Sequence, residues 1–502
     1  MYNLIIVTPD QMRRDYLGCY GNMEIRTPGI DGLSEEGITF ENCYCAAPLC
    51  APSRISFATS TYFSEHNHRN YWSAISADVP NLVMQLKKRG YRTGMYGKNH
   101  LFLYDDLNRV WDGLDEICLG NYDGHEKYTH SWSSFQMEPD HRFNITGRLT
   151  DEAIAFMKEN REGPFFTWIN YQDPHPAFTC PPPYDTMYDP DQIVPGKEWY
   201  YQTGSETGAE GPEESRDRMP CRESVQSPEP VRNEVWRKHS EMDLCTDEDY
   251  RNAVSHYMGQ ITYVDSCVDR LLKYLRESGL EKNTVVLFFS DHGELLGSHH
   301  MMHKIPVFYD CLTRIPVILK YPGCQKGVRF RGLVEEVDLV PTLLELLSVN
   351  IPDTMCGRSL YGSLKEGKYE EWRETILCEA GGGAPTYKEP VKGLKLLAPH
   401  APTSFGPGAM VRKGNYKLSI YHDDQGELYR IDSDPEELHN LYDDPEYFAV
   451  RQELTLILLK RILGVKVRET GGIEWNFEEY GQDVRFEPLE MAGSIRDVRF
   501  SG

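Results

Sequence analysis

The sequence predicts an α/β fold: a mostly parallel sheet sandwiched by helices, followed by a smaller C-terminal α+β subdomain containing an antiparallel sheet. Three observations carry that expectation. Short apolar runs alternate with amphipathic helical stretches over roughly the first 360 residues, the pattern of parallel strands buried on both faces. After about Ser363 the character changes to short strand candidates separated by turn signals. The length of 502 residues also exceeds what one compact unit usually holds. The expected division is therefore a main domain over 1–363 and a C-terminal subdomain over 364–502.

Taken in order, the chain opens with a buried strand, Asn3–Val7, running into Thr8-Pro9-Asp10-Gln11. A helix is expected over Pro28–Glu36 and a strand over Ile38–Asn42. The run Leu49-Cys50-Ala51-Pro52-Ser53-Arg54 reads as a helix entry, because proline is tolerated in a first helical turn. Asp78–Arg89 predicts a helix stopped by Gly90 at C′, and Thr93–Tyr96 a strand leading to Gly97-Lys98-Asn99-His100. Helix Thr150–Asn160 and strand Phe165–Ile169 follow, the strand ending in Asp173-Pro174-His175-Pro176. From about Thr203 to Arg232 the chain is acidic, rich in Gly, Ser and Pro, and reads as a surface insertion or lid. Glu248–Ser278 is a long helical pattern. Thr284–Phe289 is a buried strand ending in Ser290-Asp291-His292-Gly293. Strand Ile315–Leu319 and helix Leu339–Leu347 complete the main unit. The C-terminal strands are expected at Thr375–Cys378, Ala409–Arg412, Tyr416–Tyr421 and Glu427–Ile431, then a helix over Tyr447–Leu463. The tail after Val465 scatters Trp475, Phe477 and Phe486 among charges, suiting it to pack on the pocket or on a second subunit.

Composition narrows the function. With 40% hydrophobic and 26% charged residues the chain is globular, and no apolar run reaches the length of a membrane span. No basic n-region or cleavage site precedes the first strand, so the expected setting is a bacterial cytoplasm without a membrane partner. A formal net charge of −24 argues against a nucleic-acid partner, although an anion site needs only a local cluster of cations. Thirteen cysteines, an odd number at this length, fit reduced thiols better than a disulfide scaffold. Asn144-Ile145-Thr146 matches a glycosylation sequon and is read as chance.

The chemistry gathers at four strand ends: Asp10-Gln11, Lys98 with His100, His175, and Asp291-His292 with Lys304 shortly after. If those strands are parallel, the ends share one sheet edge, where open α/β sheets place ligands. Each element has a plainer reading. Cys50 alone is more often a packing thiol, Asp10 equally suits a helix cap, and single histidines and lysines are usually surface groups. Their joint appearance resists that reading. Two carboxylates, an amide oxygen and an imidazole suit one hard divalent cation better than zinc. The lysines, Arg54 and histidines would neutralise a tetrahedral oxyanion and move protons. His299-His300-x-x-His303 places two histidines three apart, a spacing compatible with zinc on a helix face, but no cysteine or glutamate joins at ligand spacing. A polar loop near the site is the better reading.

These residues resemble the type I sulfatases of the alkaline phosphatase superfamily over nearly the whole chain. Cys50-Ala51-Pro52-Ser53-Arg54 is similar to their core motif, in which the cysteine becomes Cα-formylglycine. Gly97-Lys98-Asn99-His100-Leu101, Asp173-Pro174-His175-Pro176, Ser290-Asp291-His292-Gly293 and Lys304 fall in family order. Gly414-Asn415-Tyr416-Lys417-Leu418 and the Glu427–Leu441 stretch resemble the family's C-terminal subdomain. The resemblance implies that Asp10, Gln11, Asp291 and His292 hold one divalent metal, most often Ca²⁺, with Mn²⁺ or Mg²⁺ as alternatives. It implies that Cys50, as formylglycine hydrate, is the nucleophile in sulfate ester hydrolysis. Arg54 and Lys98 would stabilise the hydrate and the sulfuryl oxygens. His100 would take the second hydroxyl's proton as sulfate leaves by C–O cleavage, and His175 with Lys304 would bind sulfate and protonate the leaving alcohol. A formylglycine-generating or anaerobic sulfatase-maturating enzyme would be a partner, and a homo-oligomer is compatible. The substrate would be a sulfated carbohydrate or aryl sulfate, with His66, His68, Arg69 and Trp72 lining the subsite for the organic group or serving as ordinary loop residues. Three departures stand out. Many sulfatases have Asp-Asp where this chain has Asp10-Gln11, a pair that phosphonate monoester hydrolases carry. The usual Thr-Gly-Arg is Thr59-Ser60-Thr61, and Asn99 replaces a common tryptophan. A phosphonate monoester or phosphodiester hydrolase is therefore the alternative.

Overall fold

The computed structural model describes residues 1–69, 73–117, 127–137, 145–196, 198–199, 229–381, 405–422, 424–464 and, for the backbone, 473–474. Trp72, Asn144, most of the 203–232 stretch and the tail aromatics lie outside the described residues. In chain order the strands are β1 Asn3–Pro9, β2 Ile38–Tyr44, β3 Ser73–Ala74, β4 Arg92–Lys98, β5 Gly113–Ile117, β6 Phe165–Tyr171, β7 Thr284–Phe289, β8 Arg314–Ile315, β9 Val317–Lys320, β10 Val328–Glu335, β11 Thr375–Ala380, β12 Gly408–Lys413, β13 Tyr416–Tyr421, β14 Glu427–Arg430 and β15 Ile473–Glu474.

The main sheet runs β10-β2-β9-β7-β1-β6-β4-β5, with β8 pairing alongside β2. β1 is parallel to both β6 and β7, and β4 is parallel to β5 and β6, whereas β9 lies antiparallel to β7 and β2. Every residue of β1, β6 and β7 is buried. Their side chains alternate between two cores, as a period of two requires. Leu4, Ile6, Phe166, Trp168, Val285, Leu287 and Phe289 pack on one face of the sheet. Ile5, Val7, Phe165, Ile169, Val286 and Phe288 pack on the other. The helix Cys50–Thr59, buried at all ten positions, covers the first face. The 32-residue helix Asp247–Ser278 covers the second; a Thr246/Asp249 capping box starts it and Gly279, at φ +75°, ends it.

Asp265 of that long helix accepts the N–H groups of Gly29 and Ile30 at 3.1 and 2.7 Å, anchoring the start of helix Pro28–Glu36. Burial, aided by Asp31 and Asp269, pushes the Asp265 carboxyl up to about 7. The folded protein thus holds this proton more tightly than the unfolded chain, whose aspartates titrate near 3.9. The associated stability is full below that pH and lost as pH rises to about 7. Thermal unfolding should show a lower midpoint at pH 8 than at pH 5, and Asp265→Asn should flatten that slope by about 1–3 kcal/mol.

The C-terminal sheet is antiparallel in the order β11-β12-β13-β14. Leu454 and Leu458 of helix Phe448–Gly464 pack on Val411, Leu418 and Leu428. The sheet is fastened to the main one by Glu379 N–H to Ala46 O (2.9 Å), Leu377 N–H to Glu335 (2.7 Å) and the buried Lys417 amine to Asp310 (2.7 Å).

Several expected boundaries moved for identifiable reasons. The helix expected from Asp78 begins at Leu82, because Pro80 disfavours a helical predecessor and Asn81 caps the start by accepting Met84 N–H at 2.9 Å. Pro316 splits the Ile315–Leu319 run into β8 and β9. The unforeseen β5 and β10 are the two edges of the sheet, partly exposed and mixed in polarity, so neither shows a continuous apolar run. The stretch expected as surface insertion ends in a helix, Val231–His239. There Arg232 is buried, bonding Asp424 at 2.8 Å and Pro306 O at 2.8 Å. Among the described residues no helix is long and apolar enough to cross a membrane.

Candidate active site

Because β7, β1, β6 and β4 are adjacent and parallel, their C-terminal ends deliver Asp291-His292, Asp10-Gln11, Asn170 and Lys98 to one edge. The helix Cys50–Thr59 points its N-terminus at that edge. Ser53 fixes it there, donating to the Asp291 carbonyl or to Glu336, each at 2.7 Å, while Glu336 also accepts Ala46 N–H at 2.9 Å. At the far end Ser60 stands at φ +53°, and its hydroxyl donates to Val337 O at 2.6 Å.

Cys50 Sγ lies 3.5 Å from Asp10 Oδ1, 3.2 Å from His292 Nε2 and 3.9 Å from Lys98 Nζ. Donor atoms of Asp10, Cys50, Asp291 and His292, all buried, lie within 4.8 Å of one another. His292 Nδ1 is 2.8 Å from Gly293 O, which places the ring proton there and leaves the Nε2 lone pair facing the cluster. Two carboxylates and an imidazole, with the Cys50 thiol beside them, form a group that could hold a hard divalent cation.

Cations enclose the carboxylates. Lys98 Nζ is 2.7 Å from Asp10 Oδ2; Arg54 places Nε 2.9 Å from Asp291 and Nη2 3.6 Å from Asp10. Arg54 Nη1 also donates to Asn170 Oδ1 at 2.7 Å. Burial opposes ionisation of Asp10, but Lys98, Lys304 and Arg54 outweigh it and hold the carboxyl well below its usual range. Burial likewise opposes the charge on Lys98 and Lys304; the Asp10 carboxylate raises both, so both amines are charged. His100, His175 and His303 are driven well below the usual imidazole range by burial and then by the neighbouring lysines, which leaves them neutral. Burial, and then Asp10, pushes the Cys50 thiol up to about 11. An unmodified thiol there is protonated at neutral pH and a poor nucleophile.

The local backbone is shaped for this arrangement. Gly97 has φ +119°, and a Cβ on it would lie 1.9 Å from the Asn170 carbonyl oxygen. Gly97→Ala should therefore destabilise the protein by about 2–4 kcal/mol and displace Lys98, measurable by denaturant unfolding together with activity. Asn99 donates to Phe102 O at 2.8 Å and accepts Phe102 N–H at 3.1 Å, so it closes the loop bearing His100.

Of the residues expected at the edge, Asp10, Cys50, Arg54, Lys98, Asp291 and His292 form one contact cluster. Lys304 reaches Gln11 Oε1, and its field couples it to Cys50, Asp10 and Asp291. His175 packs edge-on to His303, ring centres 5.3 Å apart. His299, His300 and His303 all have positive φ and share no helix face. His299 stacks on Tyr309 and His300 leans on Trp199, whereas His303 faces the site. Among the described residues the metal-compatible group is the Asp10 cluster, not these histidines. In the expected organic subsite His66 is buried, with Nε2 2.8 Å from Ser56 Oγ and Nδ1 accepting His68 N–H at 3.1 Å. His68 is buried too, and Arg69 bonds Asn67 and Gly381 O. Sequence reasoning missed Asn170, Glu294 and the special position of His303. Asn170 and Glu294 adjoin recognisable segments, but no spacing rule marks them.

A buried group of carboxylates and an imidazole that could hold a divalent cation lies at the carboxyl edge of a parallel sheet, with Cys50 at a helix N-terminus and charged amines beside it, an arrangement suited to an anionic ester. A family model described as Sulfatase matches residues 2–349. The chain belongs to the sulfatase family and is a sulfuric ester hydrolase. It is 27% identical to an arylsulfatase of Clostridium perfringens over 94% of this chain and 96% of that one. It is 26% identical to an N-acetylglucosamine-6-O-sulfatase of Bacteroides thetaiotaomicron, over 91% and 85%. Among solved structures, a phosphonate monoester hydrolase from Silicibacter pomeroyi has the same fold, with a TM-score of 0.72, 21% identity and coverage of 94% and 99%.

Proposed function

We propose that the protein hydrolyses a sulfate monoester of a carbohydrate or aryl alcohol to the free alcohol and inorganic sulfate, with residue 50 acting as a formylglycine hydrate. The observation that carries this is the placement of Cys50 Sγ 3.5 Å from Asp10, 3.2 Å from His292 and 3.9 Å from Lys98 at a helix N-terminus. Asp10, Gln11, Asp291 and His292 would hold one divalent cation, Ca²⁺ by family habit, which when bound supplies Lewis-acid stabilisation of the reacting oxygens. The aldehyde hydrate supplies an oxygen nucleophile where the buried thiol supplies none. Arg54 and Lys98 orient that residue and neutralise the sulfuryl oxygens. Lys304, held charged, is the proton donor to the leaving alcohol, with neutral His175 beside it to bind the anion. Neutral His100 is the base that takes the proton of the second hydroxyl as sulfate departs.

The alternative, phosphonate monoester or phosphodiester hydrolysis, draws on the Asp10-Gln11 pair and the likeness to a phosphonate monoester hydrolase. Turnover of a nitrophenyl sulfate and a phenyl phosphonate monoester by matured protein separates the two. A higher kcat/KM on the sulfate is expected; the reverse order would overturn the sulfatase reading of the natural substrate.

A further inference from the structure

One fully buried carboxylate beside the site has no role above. Glu294 Oε2 accepts from Gln11 Nε2, while Oε1 accepts the backbone N–H of His303 and that of Leu296, the latter at 3.1 Å. Three N–H donors converge on it, and on the far side of the Gln11 amide stands the Lys304 amine, which can only donate. Gln11 must therefore turn its NH₂ toward Glu294 and its Oε1 the other way, where Lys304 Nζ meets it. The Gln11 backbone is pinned separately: φ is +67°, its N–H donates to Asp291 at 3.1 Å, and its carbonyl accepts Tyr257 Oη at 2.8 Å. What remains free is the rotation of the terminal amide. An amide turned by 180° would present donors, not a lone pair, to a cation.

We infer that Glu294 is a positioning residue that locks the Gln11 amide with its oxygen toward the cation cradle, and through His303 N–H ties that ligand to the loop carrying Lys304. The inference rests on the reading of Gln11 as a ligand given above. The pair also has a directional logic. In E294Q the backbone N–H groups of Leu296 and His303 still claim an oxygen, so the new NH₂ faces Gln11 and reverses its amide. In the swapped pair Q11E/E294Q, position 11 accepts from that NH₂ with one oxygen and keeps the other for the cation.

Calorimetric titration of the chelator-stripped full chain with Ca²⁺ and with Mn²⁺ tests this, with thermal unfolding in EDTA as the check on folding. E294Q should weaken binding about 10–100-fold, the scale of losses on removing a ligand's outer partner. Q11E/E294Q should recover to within about fivefold of the parent, a rescue that a merely space-filling Glu294 does not produce. Parent-like affinity in E294Q, or no recovery in the swap, overturns the inference. If E294Q proves unstable, E294D, which draws the carboxylate back from Gln11, carries the same expected loss and the same contrary outcome. Failure of the parent chain to bind either ion overturns the metal-ligand reading itself.

Discussion

Cys50→Ala is expected to reduce turnover by about 10³-fold or more while leaving the fold intact, because it removes the proposed nucleophile without touching the surrounding ion pairs. The side chain is small and 1% exposed, and its neighbours Asp10, Lys98, Arg54 and Asp291 bond one another without it. The unfolding midpoint should therefore move little while activity falls to background. This contrast separates chemistry from packing. A thiol that merely filled the core would cost stability on truncation and leave kcat unchanged. With the thiol pushed up to about 11 by burial and Asp10, little thiolate is present at neutral pH to substitute for the proposed formylglycine. Steady-state kinetics on a nitrophenyl sulfate, beside denaturant unfolding, provide the comparison.

Asp10→Ala should have an equally large effect on activity together with a large effect on stability. Asp10 is fully buried and faces Lys98 at 2.7 Å and Arg54 at 3.6 Å. Removing one partner of a buried pair leaves the remaining charge uncompensated, typically at a cost of about 3–5 kcal/mol. The same change deletes a carboxylate from the cation cradle, so divalent-ion binding should fall below detection in calorimetry. Unfolding in EDTA isolates the electrostatic part from metal-linked stabilisation. A variant that bound Ca²⁺ as the parent does would contradict the ligand assignment.

The sheet interior was legible because β1, β6 and β7 are continuous apolar runs, each ending abruptly in charged or ionisable residues. That abrupt ending also pointed to most of the buried polar cluster, since parallel strands place their ends together. The sheet edges were not legible: β5 and β10 are held by one neighbouring strand each and keep polar residues facing out. The supporting groups were also hidden. Asn170 reads as the tail of a strand, and only the structure shows it clamping Arg54. Glu294 reads as a charged residue after Asp291-His292-Gly293, and burial alone reveals it as an acceptor of converging N–H groups. His66 sits in a tight local network. Its place after the core motif suggested a subsite, but Ser56 and the His68 N–H occupy both ring nitrogens.

The most direct measurement is the mass of the peptide containing Cys50 from protein produced with a maturating enzyme, taken alongside its activity. Conversion of the thiol to the aldehyde lowers the mass by roughly 18 Da. The account predicts that loss, with turnover rising in proportion to the converted fraction. Full turnover from a preparation in which Cys50 remains an unmodified thiol would contradict it.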